Sequence, residues 1–124
     1  MKSNESSEDY LETILVLSRE KPVVRSVDIA DRLGYKKSSV SVAMKHQREA
    51  GNITVTPEGF IYLTRSGLQI AERIYERHIT FTDWLTSLGV DPVVAANDAC
   101  RMEHFISEES FGAIKEYLNK EHAD

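Results

Sequence analysis

Cys100, Glu103 and His104 place a thiol, a carboxylate and an imidazole within a five-residue stretch. All three groups bind divalent transition metals. If residues 92–106 form a helix, the three stand on one face at metal-ligand spacing. Val94, Ala95, Ala99, Met102, Phe105 and Ile106 then take the opposite face, so the cluster looks away from the helix's own apolar side. Asp9 and Glu12, three residues apart, form an acidic pair near the other end of the chain. Taken alone, such a pair at a helix N-terminus ordinarily compensates the helix dipole. His78 and His46 by themselves read as packing or surface histidines. The single cysteine cannot close an internal disulfide, which fits a reducing compartment and leaves its thiol for metal or redox chemistry.

The elements that must position these groups are helical apart from one hairpin. Tyr10, Leu11, Ile14, Leu15 and Leu17 give a helix over residues 5–19, with Asp9 and Glu12 on its other side. Ser26 reads as the N-cap of a short helix ending at Gly34, and a third helix from Lys37 to Ala50 follows almost at once. Helix, glycine-containing turn and helix form a helix-turn-helix. Ile53–Thr56 and Phe60–Thr64, separated by Pro57-Glu58-Gly59, read as a hairpin or wing. A long helix then runs from Arg65 to about Leu88, with Leu68, Ile74, Phe81, Trp84 and Leu88 among its apolar positions. Asp91-Pro92 opens the fifth helix, and Ser107-Glu108-Glu109 opens a sixth that reaches about Lys120.

The net charge of −5 is unevenly spread. Arg32, Lys36, Lys37, Lys45 and Arg48 meet no acidic residue between positions 32 and 48, whereas residues 72–124 hold 11 acidic and 5 basic side chains. A basic run on a helix is ordinarily a solvated face. Here the preceding helix, the turn and the wing all fit a winged helix-turn-helix that reads DNA. Lys36, Lys37, Ser38 and Ser39 fall where a recognition helix enters the major groove, and Ser41 and Lys45 extend the surface. Arg25 and Ser26, at the start of the second helix, complete the candidate DNA-binding set. No run of 18 apolar residues and no signal peptide are present, so a cytoplasmic protein is expected.

The order of the pieces resembles the diphtheria toxin repressor family of metal-dependent transcription regulators. Glu8-Asp9-Tyr10-Leu11-Glu12, Val27-Asp28-Ile29-Ala30, Ser38-Ser39-Val40 and Asn97-Asp98-Ala99-Cys100-Arg101-Met102-Glu103-His104 carry the resemblance over nearly the whole chain. It implies a mainly α protein: a winged helix-turn-helix DNA-binding domain over residues 1–71, then an all-helical dimerisation and metal-binding domain over residues 72–124. It also implies Asp9, Glu12, His78, Cys100, Glu103 and His104 as the ligand set. Manganese-responsive members have glutamate where this chain has Cys100. Iron-responsive members have cysteine there but typically lack the acid at Glu12, so this chain mixes the two patterns. Thr82 and Ala96, which would complete an ancillary site with His78, replace the expected ligands poorly. Because the sequence stops at Asp124 without an SH3-like domain, it looks like the short, manganese-type branch.

The function expected is therefore a metal-dependent regulator, a repressor, that binds operator DNA as a homodimer and controls metal-homeostasis genes. Fe(II) or Mn(II) is the expected effector, with Co(II) or Zn(II) binding in vitro, because a thiolate favours softer ions. The metal is expected to join the first helix to the long and fifth helices, selecting orientations in which two recognition helices stand about 34 Å apart. Phe81 and Trp84 are candidate dimer-interface residues. The alternative is a metal-independent winged-helix regulator that senses a small ligand or oxidation through Cys100. An enzyme is not expected, since neither a Gly-rich phosphate loop nor a nucleophile elbow is present.

Overall fold

The computed structural model describes residues 2–121. The chain divides into two compact units, one ending at Arg73 and the other beginning at Ile74. The first unit holds α1 (Lys2–Glu20), α2 (Ser26–Leu33), α3 (Lys37–Glu49), β1 (Ile53–Val55), β2 (Ile61–Leu63) and the first turns of α4 (Arg65–Ser87). The second holds the rest of α4, α5 (Pro92–Met102) and α6 (Glu108–Glu121). This is the expected winged helix-turn-helix followed by an all-helical unit. Among the described residues, no helix is long and apolar enough to cross a membrane.

In the first unit, apolar side chains at helical spacing supply one buried stripe from each helix. Leu11, Ile14 and Leu17 of α1, Ile29 of α2, Val40 and Met44 of α3, and Ile53 and Ile61 of the wing are all buried. Burial of each large aliphatic side chain contributes about 1.5–3 kcal/mol. α1 starts three residues earlier than the expected residue 5 and well ahead of its apolar pattern, which begins only at Tyr10. Acidic Glu8 and Asp9 in its N-terminal half favour the helical state through the dipole. α2 begins at Ser26 itself, so Ser26 is not the cap. Arg25 holds that position, and its backbone N–H donates to Asp28 Oδ2 at 2.9 Å. Gly34 ends the helix with φ 71°, a left-handed conformation that a side chain rarely adopts, and its N–H donates to Ala30 O. The wing strands pair antiparallel, with Ile53 opposite Leu63 and Val55 opposite Ile61.

α4 is seated by its own first turn. Thr64 Oγ1 accepts from the Gly67 N–H at 3.2 Å and donates to Gly51 O at 2.7 Å. Gly67 lies so close to the chain leaving α3 that an added Cβ would sit 2.0 Å from the Asn52 carbonyl oxygen.

The second unit centres on Phe81, Ala99 and Phe111, against which Trp84, Ile106 and Ile114 pack. The Phe81 and Phe111 rings meet edge to face with centroids 5.6 Å apart. Phe81 is therefore core and is withdrawn as an interface candidate. Leu68 and Leu88, expected among the apolar positions of α4, are exposed. Ala71 and Arg77 instead join Ile74 and Phe81 on the buried side. Asp91 caps α5, its Oδ2 accepting from the Val93 and Val94 N–H groups, and Ser107 Oγ accepts from the Ser110 N–H at the start of α6.

Two outcomes follow. Gly67→Ala is expected to destabilise the protein by about 1–3 kcal/mol in urea denaturation, because a methyl group has no room against the Asn52 carbonyl. Asp28 accepts a hydrogen bond from Lys21 Nζ at 2.9 Å as well as the Arg25 amide, and these bonds hold its carboxyl below the ordinary value. Its stabilisation is full above the unfolded carboxyl pKa of about 3.9 and is lost as pH falls through the folded value. Asp28→Asn should thus cost about 1 kcal/mol at pH 7, and parallel denaturation curves should converge with those of the wild type in strong acid.

Candidate metal centre and nucleic-acid interface

α5 stops at Met102, so the expected helix over residues 92–106 is shortened. Glu103 is its C-cap, with φ −66° and ψ −23°, and His104 lies on the turn that follows. The face assignment changes with it. Glu103 is wholly buried, as are Ala95 and Ala99, whereas Val94, Met102 and Phe105, placed on the apolar face by sequence, are exposed. The physical cause is a side chain from another helix. Arg77 Nη1 donates to Glu103 O at 3.0 Å and to Ile106 O at 2.8 Å, satisfying carbonyls just beyond the end of α5.

Three of the expected donors converge. His78 on α4, Cys100 on the last turn of α5 and Glu103 each offer an atom within 4.8 Å of the others. His78 Nδ1 lies 3.1 Å from Glu103 Oε2, and His104 Nε2 lies 3.5 Å from Oε1. The His104 side chain is 2% exposed. Cys100 is exposed, in agreement with its expected position off the core. Asp9 and Glu12, both half-buried on α1, belong to the first unit.

Glu103 Oε1 is buried and has no hydrogen-bond partner. An ionised carboxylate withdrawn from water with one oxygen unsatisfied costs several kcal/mol, and a cation is the partner that removes this penalty. The neighbouring donors are two imidazoles and a thiol, a set that suits a borderline or softer divalent ion better than a set of oxygens would. The residues present fit a metal.

The expected DNA-contacting side chains sit on one unit. Lys36 occupies the N-cap position of α3, and Lys37, Ser38 and Ser39 lie exposed on its first turn. No side chain caps this helix, which leaves its leading amides open to phosphate. Ser26, Ser41 and Lys45 line one shallow cleft with Met44, Arg48 and Val55. The Arg25 guanidinium lies 4.8 Å from the ring centroid of Phe60 in the wing. His46 is exposed. The buried stripe of α3, Val40, Met44 and Gln47, turns Val42 outward, where it is 55% exposed.

Sequence reasoning missed several of these features. Arg48 was legible in the basic run but left off the contact set. Gln47 bonds Ser7 Oγ and Asn52, each at 2.9 Å, tying the recognition helix to α1. Its signal was a polar residue on the apolar stripe. Arg77 gave the same signal, standing at helical spacing between Ile74 and Phe81.

A winged helix-turn-helix joined to a helical unit with a metal-ligating cluster defines a metal-dependent transcriptional regulator rather than an enzyme. Residues 3–59 match the model of the iron dependent repressor N-terminal DNA binding domain, and residues 64–124 match that of the iron dependent repressor metal binding and dimerisation domain. The chain belongs to the iron-dependent repressor family. Among its relatives, the transcriptional regulator MntR of Escherichia coli is 37% identical over 113 residues, which is 91% of this chain and 73% of that one. An uncharacterized HTH-type transcriptional regulator of Methanocaldococcus jannaschii is 32% identical over 120 residues, 94% of this chain and 95% of that one. A solved manganese-dependent transcriptional repressor in complex with manganese superposes with a TM-score of 0.83 at 25% identity, over 91% of this chain. The chain spans only 52% of the length of that structure.

Glu103→Gln keeps the shape of the buried group and removes its charge. In chelator-stripped protein it is expected not to lower the thermal midpoint, in contrast to the usual loss at a buried polar position. A drop of several degrees would show that the carboxylate is already compensated without metal.

Proposed function

We propose that this protein is a cytoplasmic repressor of metal-homeostasis genes that binds operator DNA as a homodimer when Fe(II) or Mn(II) is bound. Residues 1–71 act as the DNA-binding domain and residues 72–124 as the dimerisation and metal-binding domain. The observation that carries the reading is the buried Glu103 carboxylate, with one oxygen that accepts no hydrogen bond and with His78, His104 and Cys100 at hand. These four residues are the donors of the second unit. The family resemblance adds Asp9 and Glu12 from α1. A bound divalent ion would supply the positive charge that offsets Glu103, with Cys100 as a further donor.

On the DNA side, Lys36, Lys37, Lys45 and Arg25 supply the salt-dependent attraction to phosphates. Ser26, Ser38, Ser39 and Ser41 offer short hydroxyl contacts. Val42 presents methyl groups suited to the thymine 5-methyl edge. Leu88, Val93, Val94 and Phe105, between 48% and 69% exposed, are the apolar side chains we assign to the dimer contact. Conformations competent for DNA and for metal are expected to be favoured together. By linkage, each then tightens the other by the same factor, about 5–150-fold.

The test is binding of chelator-stripped protein to DNA from its own promoter region, titrated separately with Mn(II), anaerobic Fe(II), Co(II) and Zn(II). Micromolar metal is expected to switch binding on. Cys100→Ala and Glu12→Ala should each weaken the metal response while leaving the circular dichroism spectrum unchanged. DNA binding that is strong without metal and unmoved by chelator, yet sensitive to peroxide, would transfer the role of the exposed Cys100 to redox sensing.

A further inference from the structure

We infer that Arg77 is the positioning residue of the metal centre, a buried fork that sets where Glu103 and His104 stand relative to His78. The inference rests on the metal-centre reading above and adds a residue to it. Arg77 directly precedes His78 on α4 and is 5% exposed. Its Nη1 binds the carbonyls of Glu103 and Ile106, which bracket the turn carrying both second-unit donors beyond α5. Its Nη2 donates to Glu108 Oε1 at 2.5 Å, and its guanidinium carbon lies 5.4 Å from the Phe111 ring centroid. One planar group thus fixes the turn from two sides and anchors it to the helix that presents His78.

Stability alone does not account for this arrangement. Arg77 Nε is buried without a hydrogen-bond partner, and the Glu108 side chain it pairs with is 72% exposed. A well-packed apolar side chain at such a position is often neutral or more stabilising than a buried charge. What an apolar side chain cannot do is bond two backbone carbonyls, and lysine lacks the planar guanidinium that binds them through Nη1 while Nη2 holds Glu108. Donor geometry depends on such outer contacts, whose loss typically lowers metal affinity about 10–100-fold.

The experiment compares full-length wild type with Arg77→Met, Arg77→Lys and Glu108→Gln. Circular dichroism and thermal midpoints report folding. Anaerobic Co(II) titration reports the centre through its visible ligand-field bands and the near-ultraviolet thiolate-to-cobalt band from Cys100. Arg77→Met and Arg77→Lys are expected to bind Co(II) about 10–100-fold more weakly with altered ligand-field bands. Glu108→Gln leaves both carbonyl bonds in place and should keep the wild-type spectrum. If Arg77→Met does not fold, Arg77→Lys, which keeps the charge and the aliphatic stem, decides. A folded Arg77 variant with wild-type affinity and spectrum, whatever its thermal midpoint, overturns the inference. Absence of any Co(II) spectrum in the wild type overturns the metal-centre reading itself and this inference with it, so the two failures are told apart.

Discussion

A carboxylate removed from water and left with one oxygen unsatisfied is the constraint around which the second unit is organised. Glu103 is fully buried, and its Oε1 has no hydrogen-bond partner. In a protein whose total stability is ordinarily about 5–15 kcal/mol, a buried carboxylate oxygen that accepts no hydrogen bond is a significant cost. The surrounding groups make sense as compensation held in reserve. His78 approaches one oxygen, His104 approaches the other, and the Cys100 thiol is in reach of His78 and Glu103. The unit is built to be completed by an ion, and this distinguishes it from a helical bundle with an incidental acidic patch.

The DNA-binding unit solves a different problem with the same materials. Its recognition helix must expose polar and basic side chains without drifting on its core. The two demands are separated by face, with Val40 and Met44 anchoring α3 inward while Ser38, Ser41, Val42 and Lys45 face out. Gln47 adds direction to an anchor that apolar contact alone would leave slippery. Its amide joins Ser7 on α1 to Asn52, and Asn52 Oδ1 accepts from Ser66 at 2.6 Å at the start of α4. Hydrogen bonds of this directional kind specify register more than they add stability. Gly67 serves the same end sterically, letting α4 begin flush against the Asn52 backbone.

Much of this was legible in the chain before any coordinates. Apolar residues at helical spacing, Gly34 between two short helices, Pro57-Glu58-Gly59 between two β-rich runs and Asp91-Pro92 at a helix start are local signals with local causes. They placed every helix and both strands. Where the end of α5 moved, a contact from elsewhere in the chain was responsible. α5 ended four residues early because Arg77 on α4 claims the Glu103 and Ile106 carbonyls. Glu103 became core and Phe105 became surface for the same reason.

Residue type and spacing by themselves determined the architecture, the basic recognition helix and the identity of the candidate donors Cys100, Glu103 and His104, while His78 came in only through the family resemblance. Those features depend on periodicities of a few residues and on side-chain chemistry, both written along one strand of sequence. Only the tertiary structure decided that Glu103 is buried with an unsatisfied oxygen, that Phe81 belongs to the core, and that Arg77 and Gln47 face inward to bind groups 26 and 40 residues away. Burial and hydrogen-bond satisfaction depend on which distant segments meet, and a one-dimensional pattern cannot encode that meeting until the chain has folded.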